Sequence, residues 1–296
     1  MLSSWLVELT RAAGLDPDHI HEQARRALDE DLLGGVDVTT VATVPFDQQG
    51  VADIVARAPG VVAGLPVAAA VFEVAGDDDV EVALRAADGD EVQPGQPVLT
   101  ATGRTRTLLT AERSALNFLG GLSGVATATR AWVVAVAGTG AQILDTRKTT
   151  PGLRVLQKYA VHCGGGAGYR LGLSDAAMVK DNHVVAAGGV VEAYQAVRSA
   201  FPDVPVEVEC DSVEQVAAVV EAGAELILLD NMSLEQLREA VRVTAGRAQL
   251  EASGGLTLDR AREVAATGVD YLSVGALTHS APVLDLGFDL RPKGGG

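Results

Sequence analysis

Between Asp145 and His183 the chain gathers six cations, Arg147, Lys148, Arg154, Lys158, Arg170 and Lys180, against three carboxylates, Asp145, Asp175 and Asp181. Elsewhere the balance is reversed: all 296 residues carry 23 Lys and Arg against 39 Asp and Glu, a formal net charge of −16. A basic cluster inside so acidic a protein points to an enclosed site for a small polyanion. Guanidinium groups grip carboxylate or phosphate through two parallel hydrogen bonds, and ammonium groups act as point charges. Scattered surface salt bridges are the plainer alternative. Against it stands Gly164-Gly165-Gly166 in the same stretch, because successive glycines let a backbone approach a ligand closely.

Two later segments have the chemistry of a phosphate cradle. Ser253-Gly254-Gly255 and Gly275-Ala276-Leu277-Thr278-His279 each follow a short apolar run, where backbone N–H groups at a helix start can hold an anion. Glu209 and Asp230 lie 21 residues apart and offer oxygen ligands suited to Mg²⁺ or to ribose hydroxyls. Helix capping is the competing role for both.

These residues need elements to position them, and the second half of the chain supplies a repeat. Short apolar runs end at Asp145, Lys180, Glu209, Asp230, Ser253 and Gly275, the last five at intervals of 29, 21, 23 and 22 residues. That interval holds one strand, one helix and two loops. Helix-start signals such as Asp211-Ser212-Val213-Glu214 and Ser233-Leu234-Glu235-Gln236 fall in the gaps. Six units are fewer than the eight of a full barrel, so the expected fold is α/β: an incomplete, about seven-membered α/β barrel, with a doubly wound open sheet as the alternative. In either one, ligands bind at the carboxyl ends of the strands, which makes the six end residues site candidates.

An N-terminal α+β sandwich domain is expected ahead of the barrel. Residues 1–45 have broken helical spacing that Thr39-Thr40-Val41 leaves, residues 50–105 read as short strands punctuated by Pro-Gly and Asp-Gly turns, and residues 107–137 are helical again, interrupted at Gly120-Gly121 and Ser123-Gly124. The expected divisions are 1–118, 119–280 and a C-terminal segment 281–296 that packs back on the first domain.

The acidic balance argues against a nucleic-acid or anionic-membrane partner. The longest charge-free apolar stretches, 60–72 and 131–144, fall short of the roughly 20 residues that a bilayer requires. Met1 to Glu8 lacks a basic n-region, so the cytoplasm is the expected location. Cys163 and Cys210 make no disulfide framework, and His19 and His21 lie in a polar stretch without metal-ligand spacing.

Taken in order, several segments resemble quinolinate phosphoribosyltransferase over nearly the whole chain. They are Asp145-Thr146-Arg147-Lys148-Thr149-Thr150-Pro151-Gly152-Leu153-Arg154, Lys158-Tyr159-Ala160-Val161, Gly164-Gly165-Gly166 and Val179-Lys180-Asp181-Asn182-His183. Asp37-Val38-Thr39-Thr40, Glu112-Arg113, Glu207-Val208-Glu209, Leu229-Asp230-Asn231, Glu251-Ala252-Ser253-Gly254-Gly255 and Val274 to Ser280 extend the likeness.

The resemblance implies transfer of phosphoribosyl from phosphoribosyl pyrophosphate to quinolinate with decarboxylation. The products are nicotinate mononucleotide, pyrophosphate and CO2, in NAD biosynthesis. It implies Mg²⁺, and a homodimer or a higher oligomer built on it, with shared active sites. By the same resemblance Arg113, Arg147, Arg170 and Lys180 bind quinolinate, Arg113 reaching the neighbouring subunit's site. Lys148, Glu209 and Asp230 hold the donor and its metal, with Lys148, Lys180, Glu209 and Asp230 as the catalytic set, while Ser253, Gly254, Gly275 and His279 surround the 5-phosphate. One position departs: the family usually has Asn-His-Arg after the glycines, and this chain has Gly168-Tyr169-Arg170. A phenol replaces an imidazole, which leaves the acceptor open to another aromatic acid. A silent sugar-phosphate-binding protein is the remaining alternative, opposed by the full set of acceptor-side charges.

Overall fold

The computed structural model describes residues 1–76 and 79–293, in two compact units. One unit takes Met1–Thr127 with the segment that begins at Ala281, and the other takes Ala128–Ser280.

The first unit opens with α1 (Ser4–Ala12), α2 (Pro17–Leu32) and α3 (Val38–Thr43). Asp16 caps α2 by accepting from the Asp18 N–H at 3.1 Å, and Pro17 takes the first helical position, where a missing N–H costs nothing. Asp37 likewise accepts from the Thr40 N–H at 2.9 Å. That cap starts a fresh helix at Val38, so Thr39-Thr40-Val41 is helical although the apolar spacing had lapsed there. Then come β1 (Gln49–Ala56), β2 (Gly60–Val61), α4 (Leu65–Gly76), β3 (Glu81–Leu84), β4 (Glu91–Val92), β5 (Pro97–Arg104) and α5 (Thr105–Val136).

The C-terminal strand β12 (Leu286–Pro292) completes an antiparallel sheet of order β12-β1-β5-β3, while β2 and β4 form a two-stranded ribbon. Every residue of α4 from Leu65 to Phe72 is buried, the signature of a helix inside a core. Asp88 caps its start by accepting from the N–H groups of Gly64 and Leu65, and Phe72 stacks on Phe288 with centroids 6.2 Å apart.

Helix α5 runs unbroken through the glycines that interrupt its apolar spacing. Glycine there gives clearance: a Cβ on Gly124 would stand 2.1 Å from the Pro282 carbonyl oxygen, and the Gly120 carbonyl accepts from the Leu284 N–H at 3.0 Å. Packing of the returning C-terminal segment outweighs the roughly 1 kcal/mol of helix propensity that a glycine forfeits. By length and composition α5 is the one helix among the described residues that could cross a bilayer, yet Leu108, Ala111, Ala115, Leu119 and Ala126 on it are fully buried in the protein.

The second unit alternates strands and helices: β6 (Gln142–Leu144), α6 (Arg154–Cys163), β7 (Ala177–Val179), α7 (Asp181–Ala187), α8 (Val190–Ala200), β8 (Val206–Cys210), α9 (Val213–Glu221), β9 (Leu226–Asp230), α10 (Leu234–Thr244), β10 (Gln249–Ser253), α11 (Ala261–Ala265), β11 (Tyr271–Ser273) and α12 (Ala276–His279). All six expected strands are present. They form one parallel sheet of order β6-β11-β10-β9-β8-β7. A single parallel bridge from Leu144 to Ala167 adds a seventh position beside β6. Among the described residues no ladder joins Ala167 to β7, so the barrel is incomplete, its seam lying between the second and third of the seven segments.

Gly124→Ala should therefore destabilise the protein by about 1–3 kcal/mol through overpacking. Gly121→Ala, where a Cβ meets nothing within 4 Å, should be neutral or add up to about 1 kcal/mol. Denaturant unfolding followed by circular dichroism separates the two, and equal effects would refute the clearance argument.

Candidate active site

Parallel strands in register send alternate side chains to one face. On that face Leu144, Met178, Glu207, Leu228, Glu251 and Ser273 make an inner layer, and Lys180, Glu209, Asp230 and Ser253 stand one step further along their strands. Together with Asp145, Thr146, Arg147, Lys148, Tyr169 and Arg170 they enclose a cavity of about 330 Å³. Five of the six strand-end candidates meet there.

The sixth, Gly275, stands just behind the wall. A Cβ on it would lie 2.9 Å from Lys148 Cδ and 3.3 Å from His279 Nε2, so its hydrogen is what lets the Lys148 stem pass. Gly254 borders a neighbouring cavity of about 370 Å³ that shares Ser253 and adds Gly255, Ser233, Thr257 and Arg260. His279 is exposed and bonds Ser280 Oγ through Nδ1 at 2.6 Å. Arg113 belongs to the first unit, exposed on α5 and 4.0 Å from Glu112, and does not line the cavity.

Arg147 and Arg170 line one wall with Arg154 close by, and among the described residues none of the three is in an ion pair, although the charge of Asp175 partly offsets that of Arg147. Burial, with the charges of Arg170 and Arg154, holds the Arg147 pKa below the usual arginine value. Arg154 donates to Thr149 Oγ1 and the Leu171 carbonyl, and Arg170 to the Gly172 carbonyl at 2.8 Å. Neutral acceptors orient these groups and leave their charge unspent. Arg147 Nε is buried with no partner, and so is the Tyr169 hydroxyl. Burial and the charge of Glu207 push the Tyr169 phenol up to about 12, so it stays an O–H donor at neutral pH. Orphaned buried donors on a cavity wall are what a bound anion would satisfy.

Lysines of the basic stretch divide into two kinds. Lys158, on α6, ion-pairs with Asp145, whose side chain is buried while that of Lys158 is 12% exposed, and burial still raises the Asp145 pKa against that pairing. The pair is internal support. Lys148 is exposed at the rim, and Lys180 Nζ donates to Glu209 Oε2 at 2.5 Å while half exposed. The Lys180 N–H donates to His183 Nδ1 at 2.9 Å, so the His183 of the Lys-Asp-Asn-His segment fixes the turn into α7.

Asp230 is oriented by its neighbour. Asn231, in a left-handed conformation with φ 53°, donates from Nδ2 to Asp230 Oδ2 at 2.8 Å. A Cβ on Gly254 would fall 2.3 Å from Asn231 Oδ1, which explains a glycine after Ser253. Among the described residues no group of three or more His, Cys, Asp or Glu side chains is arranged to hold a metal. Glu209 and Asp230 are two carboxylates on adjacent strands, the donor set by which Mg²⁺ is held jointly with substrate phosphates and water.

The floor was not assigned a role from the sequence. Glu207 is fully buried and Glu251 nearly so. Burial, then the charge of Glu251 and a hydrogen bond to it, raise Glu207 well above the carboxylate range, and no cation or backbone N–H meets its oxygens. Glu251 is raised by burial too, while the Ser273 hydroxyl donates to it. Glu207 thus carries a proton at neutral pH and places no charge beneath a bound anion. A signal existed: Glu207 and Glu251 interrupt strands that, buried on both faces, ought to be continuously apolar.

Comparison with known proteins agrees with this geometry. Sequence models described as "Quinolinate phosphoribosyl transferase, N-terminal domain" and "C-terminal domain" match residues 37–123 and 125–289. The chain is 54% identical over 277 residues to the nicotinate-nucleotide pyrophosphorylase [carboxylating] of Mycobacterium leprae, covering 92% of this chain and 98% of that one. It is 38% identical to a probable nicotinate-nucleotide pyrophosphorylase [carboxylating] of Bacillus subtilis, over 91% and 94% of the two chains. Among solved structures, NadC from Streptococcus pyogenes superposes with a TM-score of 0.90 at 41% identity, covering 94% of this chain and 99% of that one.

The protonated floor has a measurable consequence for stability. Glu207 keeps a proton in the folded state that the unfolded chain releases above the ordinary carboxylate range. Its contribution is thus complete below that range and is lost as pH rises toward the folded value, at up to about 1.4 kcal/mol per pH unit per proton. Glu207→Gln should flatten this decline in denaturant unfolding between pH 5 and 8 as an estimate from that linkage. A variant with the wild-type slope would show that Glu207 is ionised.

Proposed function

Because the chain belongs to the quinolinate phosphoribosyltransferase family, we propose that it transfers the phosphoribosyl group of phosphoribosyl pyrophosphate to quinolinate with loss of CO2. Nicotinate mononucleotide and pyrophosphate are the other products. The observation that carries this is the wall of Arg147, Arg170 and Tyr169, with guanidinium groups in no ion pair and orphaned donors facing a cavity whose floor holds the protonated Glu207. Such a wall selects a small dicarboxylate. Lys180 adds a point charge, and Arg113 of the partner subunit supplies a further guanidinium in a homodimer. The exposure of the Arg113 side chain on α5 supports that assignment.

Lys148 and the Ser253-Gly254, Gly275 and His279 loops take the two anionic ends of the donor. Glu209 and Asp230 fit Mg²⁺ held jointly with the donor, where the ion neutralises pyrophosphate. As the bond from ribose C1 to pyrophosphate breaks, positive charge grows on the ribose, and the carboxylates of Glu209 and Asp230 stabilise it electrostatically. The pyridine nitrogen then bonds to C1. Its new positive charge stabilises electrostatically the electron pair left in the ring plane at the adjacent carbon when CO2 departs, and a proton from solvent takes the place of that carboxylate, so no separate electron-sink cofactor is required. The fixed cations hold the carboxylate that remains. Tyr169 keeps the acceptor question specific, because its phenol donates one hydrogen bond where the family's imidazole would sit.

Quinolinate-dependent pyrophosphate release with Mg²⁺ tests the reading. Lys148→Ala should lower turnover by about 10²–10³-fold, the usual effect of removing one anion-stabilising group, with unchanged unfolding. Activity on another pyridine acid and none on quinolinate would overturn the acceptor.

Mixing inactive Arg113→Ala and Lys180→Ala chains should restore part of the activity through hybrid dimers. Verified hybrids without activity would refute the shared site.

A further inference from the structure

Helix α6 ties down the Asp145–Thr150 loop at both ends. Lys158 pairs with Asp145 at its start. One residue earlier, the buried amide of Gln157 engages its end: Oε1 accepts from the Thr150 N–H at 2.8 Å, and Nε2 donates to Thr150 Oγ1 at 3.1 Å. The same Nε2 donates to the Thr278 carbonyl at 2.9 Å, and Thr278 Oγ1 donates back to the Lys148 carbonyl at 2.8 Å. Gln157 and Thr278 are 9% and 3% exposed. They form a closed bridge between the loop that carries Lys148 and the turn that carries Gly275 and His279.

A filler would not need this arrangement. Any apolar side chain of similar volume could occupy the space under the loop, whereas the amide spends both its oxygen and its nitrogen on two loops from different parts of the chain. The bridge fixes the separation of Lys148 from the α12 turn to hydrogen-bond precision, and Lys148 Cδ already packs where a Cβ of Gly275 would be.

Resting on the phosphoribosyl-donor reading above, we propose that Gln157 and Thr278 are positioning residues that set the span between the pyrophosphate end and the 5-phosphate end of the donor. The ligand carries its two anionic groups on one ribose. Once one end is seated, the other binds as an intramolecular event whose advantage depends on matching the distance between subsites. A misplacement of 1 Å can cost on the order of 10²-fold. Loosening the bridge therefore harms the linked donor while sparing each half of it.

The test measures binding of phosphoribosyl pyrophosphate, ribose 5-phosphate and pyrophosphate separately, each with Mg²⁺, by titration calorimetry on the full chain. Thr278→Val removes the hydroxyl's bond to the Lys148 carbonyl at 2.8 Å together with its longer bond to the Gly275 carbonyl at 3.3 Å, and Gln157→Met removes the amide at similar volume. Both should weaken whole-donor binding by about tenfold or more, an order-of-magnitude expectation, and leave the two fragments and KM for quinolinate within about twofold on the same reasoning. Thr278→Ser, which keeps the hydroxyl, should restore donor affinity. Fragment affinities falling as far as that of the whole donor, or folded variants that bind the donor like wild type, would overturn the span role. Wild-type protein that binds neither the donor nor its fragments would instead overturn the phosphoribosyl-transfer reading on which it rests.

Discussion

Like charges held together out of water must be compensated, and the barrel's second unit is arranged around one such group. Arg147, Arg154 and Arg170 raise one another's energy, and Arg147 is partly desolvated as well. Among the described residues no carboxylate ion-pairs with them, and the charge of Asp175 offsets that of Arg147 only in part. Instead their N–H groups are directed by carbonyl and hydroxyl oxygens, which settle geometry without removing charge. The arrangement is least favourable when empty and improves when an anion arrives, so the binding energy of an acceptor is stored in the fold.

The same logic accounts for the acidic residues nearby. Asp145 would cancel the cluster if it were free, but Lys158 holds it. Glu207 and Glu251 would repel a dicarboxylate if both were ionised, but their burial beside each other keeps a proton on the floor. Only Glu209 and Asp230 stay at the rim as carboxylates, one paired with Lys180 and the other oriented by Asn231. Arg147 and Arg170 share a cavity of about 330 Å³ with Glu209 and Asp230, and in the proposed reaction those carboxylates would meet the positive charge that develops at ribose C1.

Much of this was legible in the residues. Apolar runs ending in charged or glycine residues at regular intervals revealed the six parallel strands and their site-bearing ends, because a βα repeat forces each carboxyl end to the same edge. The excess of cations between residues 145 and 183 located the anion wall for a related reason: a charge imbalance that local sequence cannot neutralise must be met by a ligand or a distant partner. The resemblance carried by ordered motifs added the reaction.

Other features depended on contacts distant in sequence. Gly120-Gly121 and Gly124 looked like breaks in α5, and two of them, Gly120 and Gly124, proved to give clearance to the chain returning at Pro282 only when that segment was placed against the helix. Lys148 and Lys158 are equivalent in a charge count, yet one faces solvent at the rim and the other is paired with the buried Asp145. Protonation of Glu207 and the bridge from Gln157 to Thr278 were likewise invisible, since each requires groups 44 and 121 residues apart. Periodicity and composition report what every residue of an element shares, which is why the sequence alone determined the strands, their order along the chain and the cationic stretch. Which charge is paired, which is neutral and which is left for a ligand is a property of short distances between remote segments, and only the tertiary structure decides those.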